Sequence, residues 1–349
     1  MAIVMVTGSC GLVGSESVKF FLKKGYEVIG IDNNQRKEFF GIDGDTTTIK
    51  NQLVKLKKYK HFKIDIRKKK LLENIFKKYS RNIKLIIHAA AQPSHDWAKN
   101  FPTIDFEINA SSTLSLLELT KKFCPHSTFI FMSTNKVYGD NPNKLKLIEK
   151  KTRWEINKKE FFFKGIDETM SIDNNTHSFF GVSKTYADLI VQEYGKNLGL
   201  NCACFRAGCI TGPGHAGAKL HGFLSYLVKK SLLTKQYDII GYKGKQVRDN
   251  IHSSDLINCF WEFFKKPKKG EIYNVGGGRF SNCSIIEALN SLEEMCKIKI
   301  IKKFHKVNRV GDHIWYISNM GKFKKHYPNW EQKYTTKKIL KELILSTQF

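Results

Sequence analysis

Residues 2–7 (AIVMVT) form an apolar, partly β-branched run that reads as a buried strand, and the next seven residues are GSCGLVG. A strand that breaks into three glycines and then opens a helical pattern leaves few folds available. At Gly8, Gly11 and Gly14 the missing Cβ atoms let the backbone turn tightly, approach a pyrophosphate and pack helix on strand. Leu12 and Val13 begin the helix, whose free N–H groups and positive dipole end suit phosphate. About 20 residues on, the second strand ends at Asp32, where a carboxylate takes ribose hydroxyls. An acid there repels a 2′-phosphate, so the expected cofactor is NAD rather than NADP. Asn33 lies beside it, and Arg36 is the one neighbour that argues the other way. Asp65 and Ile66 follow the third strand, where an adenine edge would lie, and HAAAQ (88–92, with Ala89, Ala90 and Ala91) follows the fourth. Glycine turns without a ligand would not explain four concordant pieces.

The same alternation continues along the chain. Strands are expected at 2–7, 27–32, 61–65, 84–88, 127–132 and 201–207, and helices at 12–24, 69–79, 105–123 and 178–198. This predicts an α/β fold, a doubly wound parallel sheet with helices on both faces. Residues 1–207 read as the dinucleotide-binding domain, with parts of 237–275 completing its sheet. Residues 208–349 read as a smaller, interleaved substrate-binding portion. The charge is unusual: 59 Lys+Arg against 32 Asp+Glu give +27. Nucleic acid would be the sharp reading, but the lysines are dispersed and no basic–aromatic module appears, so a solvated surface that attracts an anionic substrate is expected instead. The eight cysteines show neither CxxC pairing nor zinc spacing, and no metal site is expected. No apolar run is long enough to span a bilayer and no signal-like leader is evident. A cytoplasmic protein with reduced thiols and no membrane partner is the expectation.

The chemistry centres on two segments, FMSTNKVYGD (131–140) and HSFFGVSK (177–184). Together they resemble the extended short-chain dehydrogenase/reductase family, the NAD-dependent nucleotide-sugar epimerases and dehydratases with a Rossmann-type fold. The resemblance covers nearly the whole chain, including FRAGCITGPG (205–214), GKQVRDNIHSSD (244–255), YNVGGG (273–278) and NRVGDHIWY (308–316). Within the family, STNKVYG and GKQVRD are most similar to the CDP-paratose/CDP-tyvelose 2-epimerases. The resemblance implies a tightly held NAD that oxidises a sugar carbon and returns the hydride from the other face. It implies a nucleotide-diphosphate sugar as substrate, a CDP-sugar above others, and a homodimer paired through helices 105–123 and 178–198.

Carried over residue by residue, Thr134 would bond the reacting sugar hydroxyl, Ser133 would sit beside the nicotinamide and Lys184 would hold the nicotinamide ribose. Asn109 joins the cofactor set. Gln92, Asn135, His221, Gln246, Arg248 and Arg309 join the substrate set, the two guanidinium forks suiting a pyrophosphate. The family's dehydratases place Asp-Glu where this chain has Asn135 and Lys136, so elimination of water is disfavoured. LHGF (220–223) departs from the DQGW-type segment of the 2-epimerases. The larger departure is Phe180, which occupies the position of the catalytic tyrosine. A phenol of ordinary pKa near 10 must be acidified to accept an alcohol proton, a general-base contribution of roughly 10²–10⁴-fold. Phenylalanine keeps the ring and loses that chemistry. An introduced substitution that traps a complex, a native site in which another group moves the proton, and a nucleotide-sugar-binding site without turnover all fit. A nucleotide-sugar dehydrogenase or reductase is the other enzymatic alternative. If another group moves the proton, His95 and His177 have the right intrinsic pKa. Either also fits a plainer role, His177 as a helix-start hydrogen-bonding group and His95 as a residue lining the substrate pocket or as a loop residue.

Overall fold

The computed structural model of the chain describes residues 2–214, 222–306, 308 and 311–347. They fall into two compact units, one of residues 1–137, 179–206 and 257–273 and the other of residues 138–178, 207–256 and 274–349.

The first unit is built on β1 (Ile3–Thr7), β2 (Glu27–Ile31), β3 (Tyr59–Phe62), β4 (Ile83–His88) and β5 (Thr128–Thr134). The seven-stranded sheet runs from the strand Lys269–Val275 through Cys202–Ala207 to β5, β4, β1, β2 and β3. The pairs β1–β2, β1–β4, β2–β3 and β4–β5 are all parallel. Strand order reverses on the two sides of β1, and in such sheets ligands bind beyond the carboxyl ends of the strands at that point. The fold is therefore Rossmann-type, as the alternation of strands and helices predicts.

The connecting helices are α1 (Leu12–Lys23), α2 (Arg36–Phe40), α3 (Thr47–Leu53), α4 (Lys69–Tyr79), α5 (His95–Asn100), α6 (Pro102–Phe106), α7 (Ser112–Phe123) and α8 (Phe179–Lys196). All five residues of β1 are buried. The two-residue period turns Ile3 and Met5 into a core with Leu72, Phe76, Leu116, Leu117 and Val191 from α4, α7 and α8. Two sequence expectations shift. The third strand lies at Tyr59–Phe62 rather than 61–65, because Ile64 N–H turns back onto Phe62 O and Asp65 is drawn into a turn by Arg67. The helix expected at 105–123 is interrupted by a π-helical turn, Glu107–Ser111, with the Ser112 hydroxyl donating to Glu107 O.

In the second unit the strand Val247–His252 pairs antiparallel with Asn282–Ser284 and parallel with Trp315–Tyr316 and Cys209–Thr211. The strands Gln236–Ile240 and Ile301–His305 pair parallel. Leu227, Val228, Ile239, Leu289, Leu292, Ile339 and Leu340 form its core. Among the described residues no helix is long and apolar enough to cross a membrane.

Candidate active site

Register aligns the ends of the central strands. Thr7 pairs with Ile31 on one side and His88 on the other, and Gly8 N–H donates to Ile31 O at 2.8 Å while Ala89 N–H donates to Thr7 O at 3.2 Å. Gly8, Asp32 and Ala89 consequently lie in one row at the carboxyl edge of the sheet.

The glycines that follow Gly8 have different reasons. A Cβ on Gly14 would lie 2.0 Å from Gly8 O, so close packing of α1 on the loop requires glycine there. A Cβ on Gly11 would meet nothing nearer than Gly8 O at 3.4 Å. Packing does not require that glycine, and the uncapped first turn of α1 beside it would admit a ligand. No side chain caps α1, which leaves its first N–H groups for an anion. Leu12 and Val13 are partly exposed at that end. Asp32 accepts Cys10 N–H at 2.9 Å and Asn34 N–H at 2.7 Å, leaving acceptor sites on both oxygens for ribose hydroxyls. Asn33 accepts Gln35 N–H, and the Arg36 guanidinium lies 5.0 Å over the Phe40 ring. The Asp65 carboxylate is held by Arg67, and Ile66 is buried. Ala89, Ala90 and Ala91 are half-buried beside the glycine turn, where Ala90 lies against Gly8. These groups fit a dinucleotide.

At the end of β5 the polar groups are densely tied. Lys184, buried in α8, donates from Nζ to Met132 O at 2.7 Å and sits 4.1 Å from the Phe131 ring centroid. Burial pushes its pKa down to about 8, against the upward pull of Asp188, Cys204 and Asp105. The Ser133 hydroxyl donates to Asp188, which also receives Arg206 at 2.7 Å and Gln192 at 2.8 Å. Thr134 accepts Lys136 N–H at 3.2 Å and faces Asn135 Oδ1 at 3.4 Å. Phe180 is 7% exposed, and its ring meets His95 edge to face, 5.0 Å between centroids.

Asn109, carried on the π-helical turn, donates to Gln92 O and accepts Gln92 N–H, both at 3.0 Å. The same amide reaches Asp105 at 2.9 Å and Ser183 at 3.2 Å. Sequence reasoning passed over Asp105, Ser183, Asp188 and Arg206. The available signal was a charge inside an apolar pattern: Arg206 in the strand CACFRA and Asp188 in the buried stripe of α8.

Within the second unit, Gln246 is buried and donates to Ile240 O at 3.0 Å, while its Oε1 lies in the interior without a hydrogen bond. Arg248 donates to Val247 O at 2.8 Å and forms an ion pair with Asp312. Trp315 is a core residue bonded to Glu155. His177 Nε2 is bonded to Ile172 O at 3.0 Å. His221 and Arg309 lie outside the described residues. Among those described, no cluster of His, Cys, Asp and Glu is arranged to hold a metal ion.

Comparison with known proteins agrees with this architecture. The model of the NAD dependent epimerase/dehydratase family matches residues 4–276. The chain is 32% identical to a CDP-paratose 2-epimerase of Salmonella typhi, over 84% of this chain and 85% of that one. It is 26% identical to a UDP-glucuronate 4-epimerase of Thermodesulfobacterium geofontis, over 99% and 95% of the two chains. The structure of a Thermus thermophilus UDP-glucose 4-epimerase in complex with NAD superposes with a TM-score of 0.78 at 22% identity, covering 99% of each chain. With a family model spanning both motif segments and a dinucleotide row that fits its cofactor, the chain belongs to the NAD dependent epimerase/dehydratase family, and its cofactor is NAD.

Proposed function

We propose that this enzyme is a nucleotide-sugar epimerase similar to CDP-paratose 2-epimerase, acting on a CDP-sugar. The observation that carries the reading is at the end of β5. Thr134 and buried Lys184 occupy the positions of the family's chemistry, while Asn135 and Lys136 supply no carboxylate for elimination of water. Epimerisation needs only removal and return of hydrogen at one carbon, and this set of residues lacks the acids a dehydration would add.

Gly8, Gly11, Leu12, Val13, Gly14 and Asp32 would hold the pyrophosphate and adenosine ribose, with Asn33, Arg36, Asp65 and Ile66 around the adenine and Ala89, Ala90, Ala91, Asn109 and Ser133 lining the remainder. NAD, when bound, supplies reversible oxidation of the sugar carbon. Lys184 would orient the nicotinamide ribose and Thr134 the sugar hydroxyl. Gln92 and Asn135 would contact the sugar, and Gln246, Arg248, His221 and Arg309 the nucleoside diphosphate. On this reading the part of residues 1–207 in the first unit, with the strand Lys269–Val275, serves the cofactor, and residues 138–178 join those of 208–349 in the unit that serves the nucleotide sugar. Phe106, Phe179, Val182 and Leu189, all at least 42% exposed on α6 and α8, favour a homodimer built on these helices.

The test is to purify the protein, quantify bound NAD and incubate it with CDP-, UDP- and GDP-sugars. Near-stoichiometric NAD and conversion of a CDP-sugar to its epimer without net NADH are expected. Net NADH release from exchangeable cofactor would point instead to a dehydrogenase. Binding without hydrogen exchange at any sugar carbon would leave a nucleotide-sugar-binding protein, which Phe180 also fits.

A further inference from the structure

Phe180 leaves the position of the proton-transferring phenol without an acid–base group, and the fold sets an imidazole against that ring. His95 opens α5, and its ring lies 5.0 Å from that of Phe180 at 66°. The contact is fixed from both sides by one set of bonds. On the α8 side, Ser183 donates to Asp105 at 2.6 Å and also meets Phe180 O at 3.1 Å. On the loop side, Asn109 clamps the backbone of Gln92 while bonding Asp105 and Ser183. Gln92 then brackets Ser94, donating to its carbonyl at 2.8 Å and accepting its N–H. Ser94 caps α5 by accepting Trp97 N–H at 3.2 Å. The residue before His95 and the helix that carries Phe180 are thus anchored to the same three side chains, Asp105, Asn109 and Ser183. His177, the other imidazole near this motif in sequence, has its Nε2 on Ile172 O.

We propose that His95 is the catalytic residue that takes and returns the proton of the reacting sugar alcohol, a role the missing phenol would otherwise fill. The inference rests on the epimerase reading above. An imidazole has an ordinary pKa of about 6.5 and is mostly neutral near pH 7, so unlike a phenol it needs no neighbouring cation to act as a base. In the forward step the alcohol O–H breaks and an N–H bond forms on His95. The O–H electron pair becomes the second C–O bond, and the C–H hydrogen leaves with its pair to the oxidised dinucleotide. In the return step the carbonyl carbon regains hydrogen and its pair on the opposite face, and His95 gives its proton back to oxygen. This also gives Lys184 a different role from that in tyrosine enzymes, because no phenol stands beside it to be acidified.

The experiment uses the NAD-loaded full-length enzyme and its variants H95A and H95Q, with CDP-, UDP- and GDP-glucose and their deoxy analogues as probes. Both variants are expected to keep the wild-type NAD content and nucleotide-sugar affinity within about twofold, while turnover falls by about 10²-fold or more. Added imidazole should restore turnover to H95A but not to H95Q, whose side chain fills the space. F180Y placed in the H95Q background should also recover it, since the phenol returns. The wild-type ring-proton resonance that is missing from H95A should shift when a nucleotide sugar binds. Turnover in H95A equal to wild type would overturn the assignment, as would turnover lost with no rescue by imidazole or by F180Y. A His95 resonance indifferent to every bound probe would overturn it as well. If wild type turns over none of the sugars, the epimerase reading falls and this inference with it. If wild type is active and H95A matches it, only the inference falls.

Discussion

Asp32 shows how one residue can be read from sequence and yet have more to do in the fold. Its position at the end of the second strand, after a glycine trio, pointed to ribose. The structure adds that its two oxygens also receive Cys10 N–H and Asn34 N–H, so it braces the glycine loop as well. Charge-assisted hydrogen bonds contribute about 1.5–3 kcal/mol each. Asp32→Ala is therefore expected to lower NAD affinity by about 10- to 100-fold in a direct titration, with Asp32→Asn intermediate because it retains an acceptor. Cofactor content equal to wild type in Asp32→Ala would remove the ribose assignment. Asp188 and Arg206 were not legible in this way. A buried ion pair at 2.7 Å that also holds Ser133 is invisible to local pattern, because its members come from a helix and a strand whose approach is set by packing.

At the scale of elements, β1, the glycine loop and α1 form a unit in which Gly14 and Gly11 separate by cause. Gly14 is required by packing of α1 on the loop, whereas a Cβ on Gly11 would make only an ordinary contact with Gly8 O at 3.4 Å. Gly14→Ala should force the loop apart and destabilise the protein by roughly 1–3 kcal/mol, the usual range for an overpacked site. Gly11→Ala should leave the thermal midpoint unchanged while bound NAD falls, because the added methyl group meets ligand rather than protein. Thermal unfolding beside cofactor quantification distinguishes the two, and equal destabilisation by both would refute the distinction. The strand–loop–helix element was legible because its periodicity and its glycines are local. The π-helical turn at Glu107–Ser111 was not, since a helical stripe over 105–123 reads continuously through it. What the turn does is carry Asn109 to the backbone of Gln92, a partner in another element.

For the molecule as a whole, the centre of the sheet contains an acid-sensitive group. His88 ends β4 fully enclosed, its Nδ1 2.7 Å from Thr7 Oγ1 and its Nε2 3.0 Å from Thr113 Oγ1. Burial, with a smaller contribution from the Lys184 charge, pushes its pKa down to about 3. Below about pH 6.5 the unfolded chain protonates this histidine while the folded chain does not, so the unfolded state binds more protons and stability falls with falling pH. The loss extends from about pH 6.5 to about 3, with a limiting slope near 1.4 kcal/mol per pH unit. Urea unfolding midpoints should decline across this window, and His88→Gln should flatten the decline; an unchanged slope in the variant would assign the acid sensitivity elsewhere. Strand alternation, the glycine trio and Asp32 were enough, by sequence alone, to point to a parallel α/β sheet and to NAD as cofactor, while Phe180 stands for a missing phenol through the family resemblance of the STNKVYG and HSFFGVSK segments. The fold and the cofactor depend on local periodicity or on residue type at a fixed spacing. Only the tertiary structure decided that His95 meets Phe180, that Arg248 faces Asp312, and that Asp105, Asn109 and Ser183 join a loop to a helix. Those outcomes depend on which side chains distant in sequence pack together, and that is set by the register of strands and the faces of helices once the core has closed.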